Sequence, residues 1–340
     1  MIMSLNTSNL MKALLVGLAV TVSAGALLLS QRNDLNEPQV VLVKKGMSVS
    51  QVILQLKSSS IIRSDLPIRI WAKLDFRKIR EGEYLIPARA TLFEIVNIIW
   101  GGHSTFIELV IPEGSNSWQI EKLLKDYVPA EQFWSLWTDP ELILLTGEPK
   151  ARTLEGFMAP NTYFINRAME PIDIIKMLVK NSKKYYPSSQ IKNGLSNYET
   201  LILASLIESE ATVNSERDRI ASVFLNRLKK GMPLQCDPTV QYSKYKLGLP
   251  NPLRLGGTDL RRFHPYNTYR IPGLPPGPIC SPSLPSMQAA VKPSTTEELY
   301  FVADGNGTHV FSSTLEEHSK AVQAYRKIQV EKKLRNQENL

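Results

Sequence analysis

The sequence is poor in cysteine and histidine and lacks the glycine motifs that bind nucleotides. Its two cysteines and four histidines stand in no CxxC or HExxH pattern, so a zinc site is not indicated. Neither GxGxxG nor GxxxxGK[ST] occurs, which removes the common phosphate-binding loops. We therefore expect no metal and no cofactor. The formal net charge of +8 is spread along the chain and suits an anionic membrane surface or an acidic polymer as well as nucleic acid.

One long apolar run interrupts this average composition. Residues 13–30 contain no charge, proline, asparagine or glutamine, and as a helix they would measure about 27 Å at 1.5 Å per residue. The run favours a retained membrane anchor over a buried core helix. A cleaved signal peptide is a stronger alternative than the core helix, because Ala24-Gly25-Ala26 resembles a cleavage site. The retained anchor is favoured over both. In either case residues 33–340 are expected outside the cytoplasm, which disfavours nucleic acid as a partner.

The rest of the chain predicts a mixed α+β fold. Residues 41–43 and 83–86 are typical of strands, and residues 48–58 and 91–96 of helices, so that residues 37–105 form a small β/α module after a stub, anchor and linker at 1–36. Residues 106–340 are predicted to be a catalytic domain. Within it we expect helices at about 199–211 and 216–230, with Ser215 capping the second. Proline- and glycine-rich loops are expected beyond Gly231, and a purely architectural hairpin at about 299–311.

The chemistry is expected at Glu208 or Glu210 in the segment LILASLIESEAT. Side chains two residues apart on a helix point about 200° from each other, so at most one of these acids faces a given substrate. Leu203, Leu206 and Ile207 share the side of Glu210. Desolvation there would raise the pKa of Glu210 and keep it protonated near neutrality, as a general acid requires.

Neutral hydrogen-bonding and aromatic residues with a single acid follow this helix. Amides suit sugar hydroxyl and N-acetyl groups, and aromatic rings suit sugar faces, although each residue alone could equally be ordinary loop packing. The band consists of Asn226, Gln235, Asp237, Thr239, Gln241, Tyr242, Asn267 and Tyr269. We predict that all of them except Gln241 bind substrate.

Three separated motifs resemble one known family. They read ASLIESEATVNSERDRIASVFLNRLKKGMPLQCDPTVQY, HPYNTYRIPGLPPGPICSP and LYFVADGNGTHVFSSTLEEH, and they resemble the YceG-like endolytic murein transglycosylases. The loop LEGFMAPNTYF and the anchor extend the resemblance over nearly the whole chain.

The resemblance implies a single-pass inner-membrane protein with its catalytic domain in the periplasm and a LysM-like module at 37–105. It also implies non-hydrolytic cleavage between N-acetylmuramic acid and N-acetylglucosamine in nascent glycan strands, which leaves 1,6-anhydro ends and terminates elongation. Glycan strands and the inner membrane are the implied partners, and peptidoglycan synthases remain open as partners. The second acid of the family's E-x-E motif falls on Glu210.

Two alternatives and two departures accompany this interpretation. A muramidase could use Glu210 and Asp237 with water, and a non-catalytic glycan-binding scaffold would need neither. Asn161 stands where the family usually has Asp, and Cys236 where it commonly has Thr. The family brings the loops of Cys236 and Cys280 to the active site, so a disulfide between them is a hypothesis.

Overall fold

The computed structural model describes residues 7–75, 77–184 and 194–338. Residues 1–6 of the predicted stub and residues 339–340 of the predicted catalytic domain lie outside the described residues. The chain separates into two compact units. The first comprises Met1–Glu108 with Phe164–Glu170, and the second comprises Leu109–Tyr163 with Pro171–Leu340.

The first unit combines helices with one antiparallel strand pair. Its elements are α1 (Thr7–Leu29), β1 (Gln39–Val43), α2 (Val49–Ser58), α3 (Leu66–Leu74), β2 (Gly82–Ile86) and α4 (Leu92–Trp100). Strand β1 pairs with β2 so that Val41 lies opposite Tyr84. Capping boxes begin α2 at Ser48 and α4 at Thr91. Alternate residues of both strands face the helices and form a buried apolar core.

Helix α1 covers the apolar run, and most of its described side chains are exposed. Among the residues that the structure describes, no helix is both long enough and apolar enough to span a membrane. The predicted transmembrane helix is therefore not confirmed.

The second unit is mainly helical. It contains α5 (Ser117–Leu124), α6 (Ala130–Trp137), α7 (Pro140–Leu144), α8 (Pro171–Ser182), α9 (Asn197–Glu210), α10 (Arg217–Lys229), α11 (Asp237–Lys246), α12 (Gly257–Arg261), α13 (Leu284–Val291) and α14 (Leu315–Glu338), with a hairpin of β5 (Tyr300–Ala303) and β6 (His309–Ser312). Strands β3 (Ile107–Ile111) and β4 (Asn161–Ile165) form a further two-stranded sheet. The division of the chain into units falls inside both strands, after Glu108 and after Tyr163. The mixed α+β class predicted from the sequence is confirmed.

Helix α9 lies at the centre of the second unit. It begins at a capping box formed by Ser196 and Glu199, and every residue from Thr200 to Ile207 is buried. A helix that is apolar all round belongs in a core, and α9 packs against α10, α11 and α13. Beyond Ile207 the last turn returns to accessible surface, and this turn carries Glu208 and Glu210.

The start of α10 differs from the prediction. A 3-10 turn at Asn214–Glu216 precedes Arg217, and no side chain caps the helix. The predicted capping by Ser215 is therefore wrong. Glu216 is available for a different contact because it stands before the first helical turn instead of within it.

Candidate active site

Glu208 belongs to a buried ion pair. Its carboxylate lies 3.2 Å from the guanidinium of Arg217, and the two side chains are only 7% and 8% exposed. The Ser283 amide donates to the same carboxylate at 2.9 Å, and the Ser283 hydroxyl donates to it as well. Since Ser283 is the N-cap of α13, Glu208 joins α9 to α10 and α13. These contacts give Glu208 a structural role.

Glu210 has different surroundings on the other side of the last turn. The buried thiol of Cys236 adjoins its carboxyl group and lowers its pKa. Burial, and to a smaller extent the nearby Asp237, raise the pKa of Glu210 to about 7, against the lowering effects of Cys236, His309 and Arg227. The predicted desolvation of Glu210 is therefore present in the structure, and near pH 7 the residue can both donate and accept a proton.

Cys236 and its neighbours form the wall facing Glu210. Burial and the carboxyl group of Glu210 hold the pKa of the Cys236 thiol well above its ordinary value, so the thiol stays protonated. Asp237 is exposed and accepts a 2.6 Å hydrogen bond from the Tyr269 hydroxyl. Gln235 is exposed as well, with a φ of +53°. Three predicted binding residues, Gln235, Asp237 and Tyr269, thus lie together beside Glu210.

Arg227 is a cation in this region that the sequence did not single out. It is buried on α10 and donates to the carbonyl oxygens of Leu299, at 2.6 Å, and Leu234, at 2.9 Å. It also donates to the side-chain oxygen of Gln235 at 3.3 Å. Burial lowers the pKa of Arg227, and the carboxyl group of Glu210 acts against that lowering. Arg227 therefore ties the Gln235 loop to the hairpin and places positive charge near Glu210.

Glu216 and His309 form a second unforeseen pair. The Glu216 carboxylate accepts a hydrogen bond from the His309 amide at 2.8 Å. A second hydrogen bond joins the carboxylate to the ring nitrogen Nδ1 of His309 at 2.7 Å. His309 in turn affects the electrostatics of Glu210. The hairpin was interpreted as purely architectural, and in the structure β6 also brings His309 within electrostatic range of Glu210.

A second desolvated carboxyl group lies at Glu155. It is 1% exposed and accepts hydrogen bonds from the hydroxyls of Ser117 and Tyr242, each at 2.7 Å. Burial raises the pKa of Glu155 to about 7. Glu155 lies in LEGFMAPNTYF, the loop through which the family resemblance extends. Nothing in that segment indicates that the acid is buried. Tyr242, a predicted binding residue, is held in place by this bond.

Three other predicted binding residues use their polar groups within the protein. Asn226 donates to the carbonyl oxygens of Thr296 and Glu298 at 2.8 and 3.0 Å. Thr239 is fully buried and bonds to Cys236 and Thr268. Asn267 is also fully buried and donates to three carbonyl oxygens between Asp259 and Arg262. In the structure these side chains hold the loops in place, and their predicted contact with substrate remains untested.

The two departures from the family pattern have local explanations. Asn161 is exposed at the first position of β4, and its side-chain oxygen accepts from the Thr162 amide at 2.8 Å, a contact that needs no charge. Cys236 and Cys280 are both buried free thiols, so the hypothesised disulfide is absent. Cys280 contacts the Ser209 hydroxyl at 3.5 Å. Within the described ranges, no group of three or more His, Cys, Asp or Glu side chains is arranged to hold a metal ion.

The fold and site define a mixed α+β protein with a desolvated glutamate, Glu210, at the end of its central helix. A family model described as the YceG-like family matches residues 41–324. The chain therefore belongs to the YceG-like family, and the resemblance found in its motifs is confirmed.

Individual relatives agree with this assignment. The chain is 35% identical over 304 residues to the endolytic murein transglycosylase of Bacillus subtilis, and the match covers 83% of each chain. It is 28% identical over 325 residues to the Streptococcus pneumoniae protein of the same name, of which it spans 59%. The crystal structure of a putative YceG-like protein from Listeria monocytogenes superposes with a TM-score of 0.54 at 31% identity, covering 84% of this chain and 99% of that one.

The raised pKa of Glu210 predicts a pH-dependent stability difference. The folded state holds this proton up to about pH 7, whereas the ordinary pKa of the group is 4.5. The free energy of unfolding therefore falls as pH rises between these two values. Glu210→Gln removes this loss. We expect thermal denaturation to show the variant gaining stability over the wild type from pH 5 to pH 8. Glu155 titrates in both proteins and cancels, and a difference that stays constant with pH would contradict the burial of Glu210.

Proposed function

We propose that this chain is an endolytic murein transglycosylase in which Glu210 is the catalytic acid and base. The observation that carries the proposal is the desolvated Glu210 carboxyl group, whose pKa is raised to about 7, at the accessible end of an otherwise buried helix. A general acid must be protonated at the working pH and a general base must not be. A pKa near neutrality lets one residue take both roles in turn.

The proposed reaction needs one carboxyl group and no water. Glu210 donates its proton to the glycosidic oxygen that leaves C1 of the muramyl residue as the C1–O bond breaks. The resulting carboxylate then takes the proton of the muramyl C6 hydroxyl, whose oxygen bonds to C1 and closes the 1,6-anhydro ring. Glu210 ends protonated, as it began. The guanidinium of Arg227 supplies positive charge while Glu210 is ionised, and the buried Cys236 thiol adjoins the carboxyl group.

The masses of the products test this reaction. Purified enzyme acting on uncrosslinked glycan strands is expected to give muramyl ends one water lighter than reducing ends, because the C6 hydroxyl replaces water as the nucleophile. Mass spectrometry of the released strands measures this directly. Reducing ends alone would reject the transglycosylase and favour the muramidase, with Asp237 as its second carboxylate. Internal cuts, rather than stepwise loss from strand ends, would identify the endolytic mode.

Residues 37–105, which belong to the first unit, are proposed to form a LysM-like module that binds the glycan. Its support is the β1-α2-α3-β2 order with an antiparallel strand pair. Residues 106–340 are proposed as the catalytic domain. This division places the proposed chemistry in one unit and the additional glycan contact in the other.

Helix α1 is proposed to hold the enzyme at the inner membrane, with the catalytic unit in the periplasm near emerging strands and their synthases. Its support is the row of exposed apolar side chains that includes Leu18 and Val22, which are 61% and 64% exposed. Leu18→Lys with Val22→Lys is expected to move the full-length protein from the membrane fraction to the soluble fraction after cell disruption, because buried charge is costly in lipid. Leu54→Lys, at a residue of the first unit that is 62% exposed, is the matched control. Equal fractionation of all three proteins would contradict the anchor.

A further inference from the structure

Helix α3 of the first unit turns large apolar side chains towards solvent. Leu66, Ile70 and Leu74 are 63%, 52% and 72% exposed, and residues spaced four apart share one face of a helix. Ile68, on the other side, is the buried residue of α3. Surface helices ordinarily direct their apolar face inward, so the α3 row of Leu66, Ile70 and Leu74 is an interaction surface. We propose that the α3 row binds the surface of an anionic lipid bilayer.

An aromatic pair extends the apolar surface of α3. The half-buried Trp71 ring meets the Phe93 ring of α4 edge to face, with centroids 6.3 Å apart and planes at 84°. Phe93 is itself exposed. Tryptophan, phenylalanine and leucine on one face are typical of helices that lie in the plane of a membrane interface, with basic residues on the opposite or flanking face.

The charge around the α3 row is complementary to anionic lipid. Residues 63–80 contain six basic residues and two acidic ones, a net charge of +4 out of the +8 of the whole chain. Both acids, Asp65 and Asp75, are already paired with basic side chains. Lys73 is exposed beside the row. Each basic residue near an anionic bilayer strengthens binding, so the charge selects phosphatidylglycerol-like headgroups over neutral ones.

The end of α1 is fixed to the part of the first unit from which α3 begins. The Leu92 amide donates to the Gln31 carbonyl at 2.9 Å, and the Asn33 amide donates to the Ala90 carbonyl at 2.8 Å. Gln31 and Asn33 also line a cleft together with Pro67, which stands in the first turn of α3. The residues that follow α1 are therefore held by hydrogen bonds against the unit and bring the start of α3 close to the end of α1.

This position brings the α3 row to the bilayer. With α1 inserted as proposed, its end at Leu29 lies at the membrane surface, and the first turn of α3 adjoins the residues that come directly after it. A helix of nine residues is about 13 Å long, so all of α3 stays near that surface. This inference rests on the proposed membrane location and adds a second, peripheral contact. Two contacts fix the orientation of the first unit, whereas α1 alone leaves it free to rotate.

A fluorescent probe on the full-length protein tests the contact. Ile70→Cys is labelled with a dye whose emission moves to shorter wavelength in lipid. The native Cys236 and Cys280 are buried, and the unsubstituted protein taken through the same labelling gives the background. The protein is reconstituted with vesicles of equal parts phosphatidylglycerol and phosphatidylcholine, or of phosphatidylcholine alone. We expect a shift to shorter wavelength and a severalfold loss of quenching by aqueous iodide in the anionic vesicles only.

Two matched controls accompany this measurement. The same dye at Leu144→Cys, an exposed position on α7 of the second unit, is expected to give the same emission with both lipids. Lys73→Glu, combined with the dye at Ile70→Cys, is expected to reverse most of the shift because it replaces attraction to the headgroups by repulsion. Lys122→Glu makes the same charge change at an exposed lysine of α5 and is expected to leave the shift intact.

Three results would overturn the proposal. The first is an Ile70 dye that stays in water in the anionic vesicles. The second is an equal shift with both lipids, which would mean that the row is covered without regard to lipid charge. The third is a shift that grows with the ratio of protein to lipid, which would identify a second copy of the chain as the occupant.

The dye placed at Leu18→Cys on α1 separates this contact from the proposed anchor. A lipid signal at Leu18 with a water signal at Ile70 leaves the anchor standing and rejects the α3 contact. A water signal at Leu18 with a charge-dependent lipid signal at Ile70 supports the α3 contact and rejects the anchor. No glycan is present in these measurements, so a failure of the proposed cleavage reaction changes neither outcome.

Discussion

Glu210→Gln is expected to lower the rate of strand cleavage by roughly 10²–10⁴-fold at pH 7, the usual contribution of a positioned general acid or base. The amide has the shape of the carboxyl group but neither donates nor accepts the transferred proton. Since Glu210 has both proposed roles, neither step has a substitute. Single-turnover cleavage of purified glycan strands, followed by strand length, measures the effect.

The control for this loss is Glu199→Gln on the same helix. Glu199 closes the capping box of α9 with Ser196, and glutamine serves in a capping box as well as glutamate does. We expect its cleavage rate to stay within about twofold of the wild type, in line with the small effects of substitutions away from a site. Full activity of Glu210→Gln would reject Glu210 as the catalytic residue. A wild type that binds strands but leaves them uncut would favour the scaffold alternative.

Glu208→Gln is expected to lower the free energy of unfolding by about 3–5 kcal/mol, the usual cost of removing one partner of a buried ion pair. The guanidinium of Arg217, in a side chain that is 8% exposed, would lose its counter-charge. Urea denaturation at pH 7 measures the change. Glu316→Gln removes one member of the exposed pair with Lys320, whose side chains are 79% and 73% exposed, and is expected to cost below about 1 kcal/mol.

A double-mutant cycle separates the ion pair from the other contacts of Glu208. Combining Glu208→Gln with Arg217→Met removes both charges, and the double variant is expected to be more stable than the sum of the two single losses implies. Strict additivity would show that the Ser283 contacts, and not the pair with Arg217, carry the stabilisation. Together with Glu210→Gln, the cycle assigns stability to the first acid of the E-x-E motif and chemistry to the second.

Individual helices and strands were predictable where a short stretch of sequence determines them. The two central helices and the hairpin were predicted within a few residues of α9, α10, β5 and β6, because periodicity and turn residues act over short distances. The region beyond Gly231 was expected to be loop-rich, yet α11 and α13 lie in it. Pro238 and Pro285 stand in the first turns of these helices, where proline starts a helix instead of ending it.

The site was predictable in part. The spacing of Glu208 and Glu210 indicated that the two acids face different surroundings, and the neighbours of Glu210 indicated its desolvation. The reasoning from one apolar face was incomplete, however, since α9 is buried on every side up to Ile207. The difference between the two acids comes from what other segments place beside them: Arg217 and Ser283 at Glu208, and Cys236 at Glu210.

The sequence by itself determined the family, the mixed α+β class, the central helix and the acid to be proposed as catalytic, because these follow from ordered motifs and local periodicity. Only the tertiary structure decided that Glu208 is neutralised, that Glu155 is a second desolvated acid, and that Arg227 adds positive charge near Glu210. The physical reason is that desolvation and Coulomb interactions depend on distance in space. The segments that meet at the end of α9 are far apart along the chain, as in the contact of Ser283 with Glu208, which spans 75 residues.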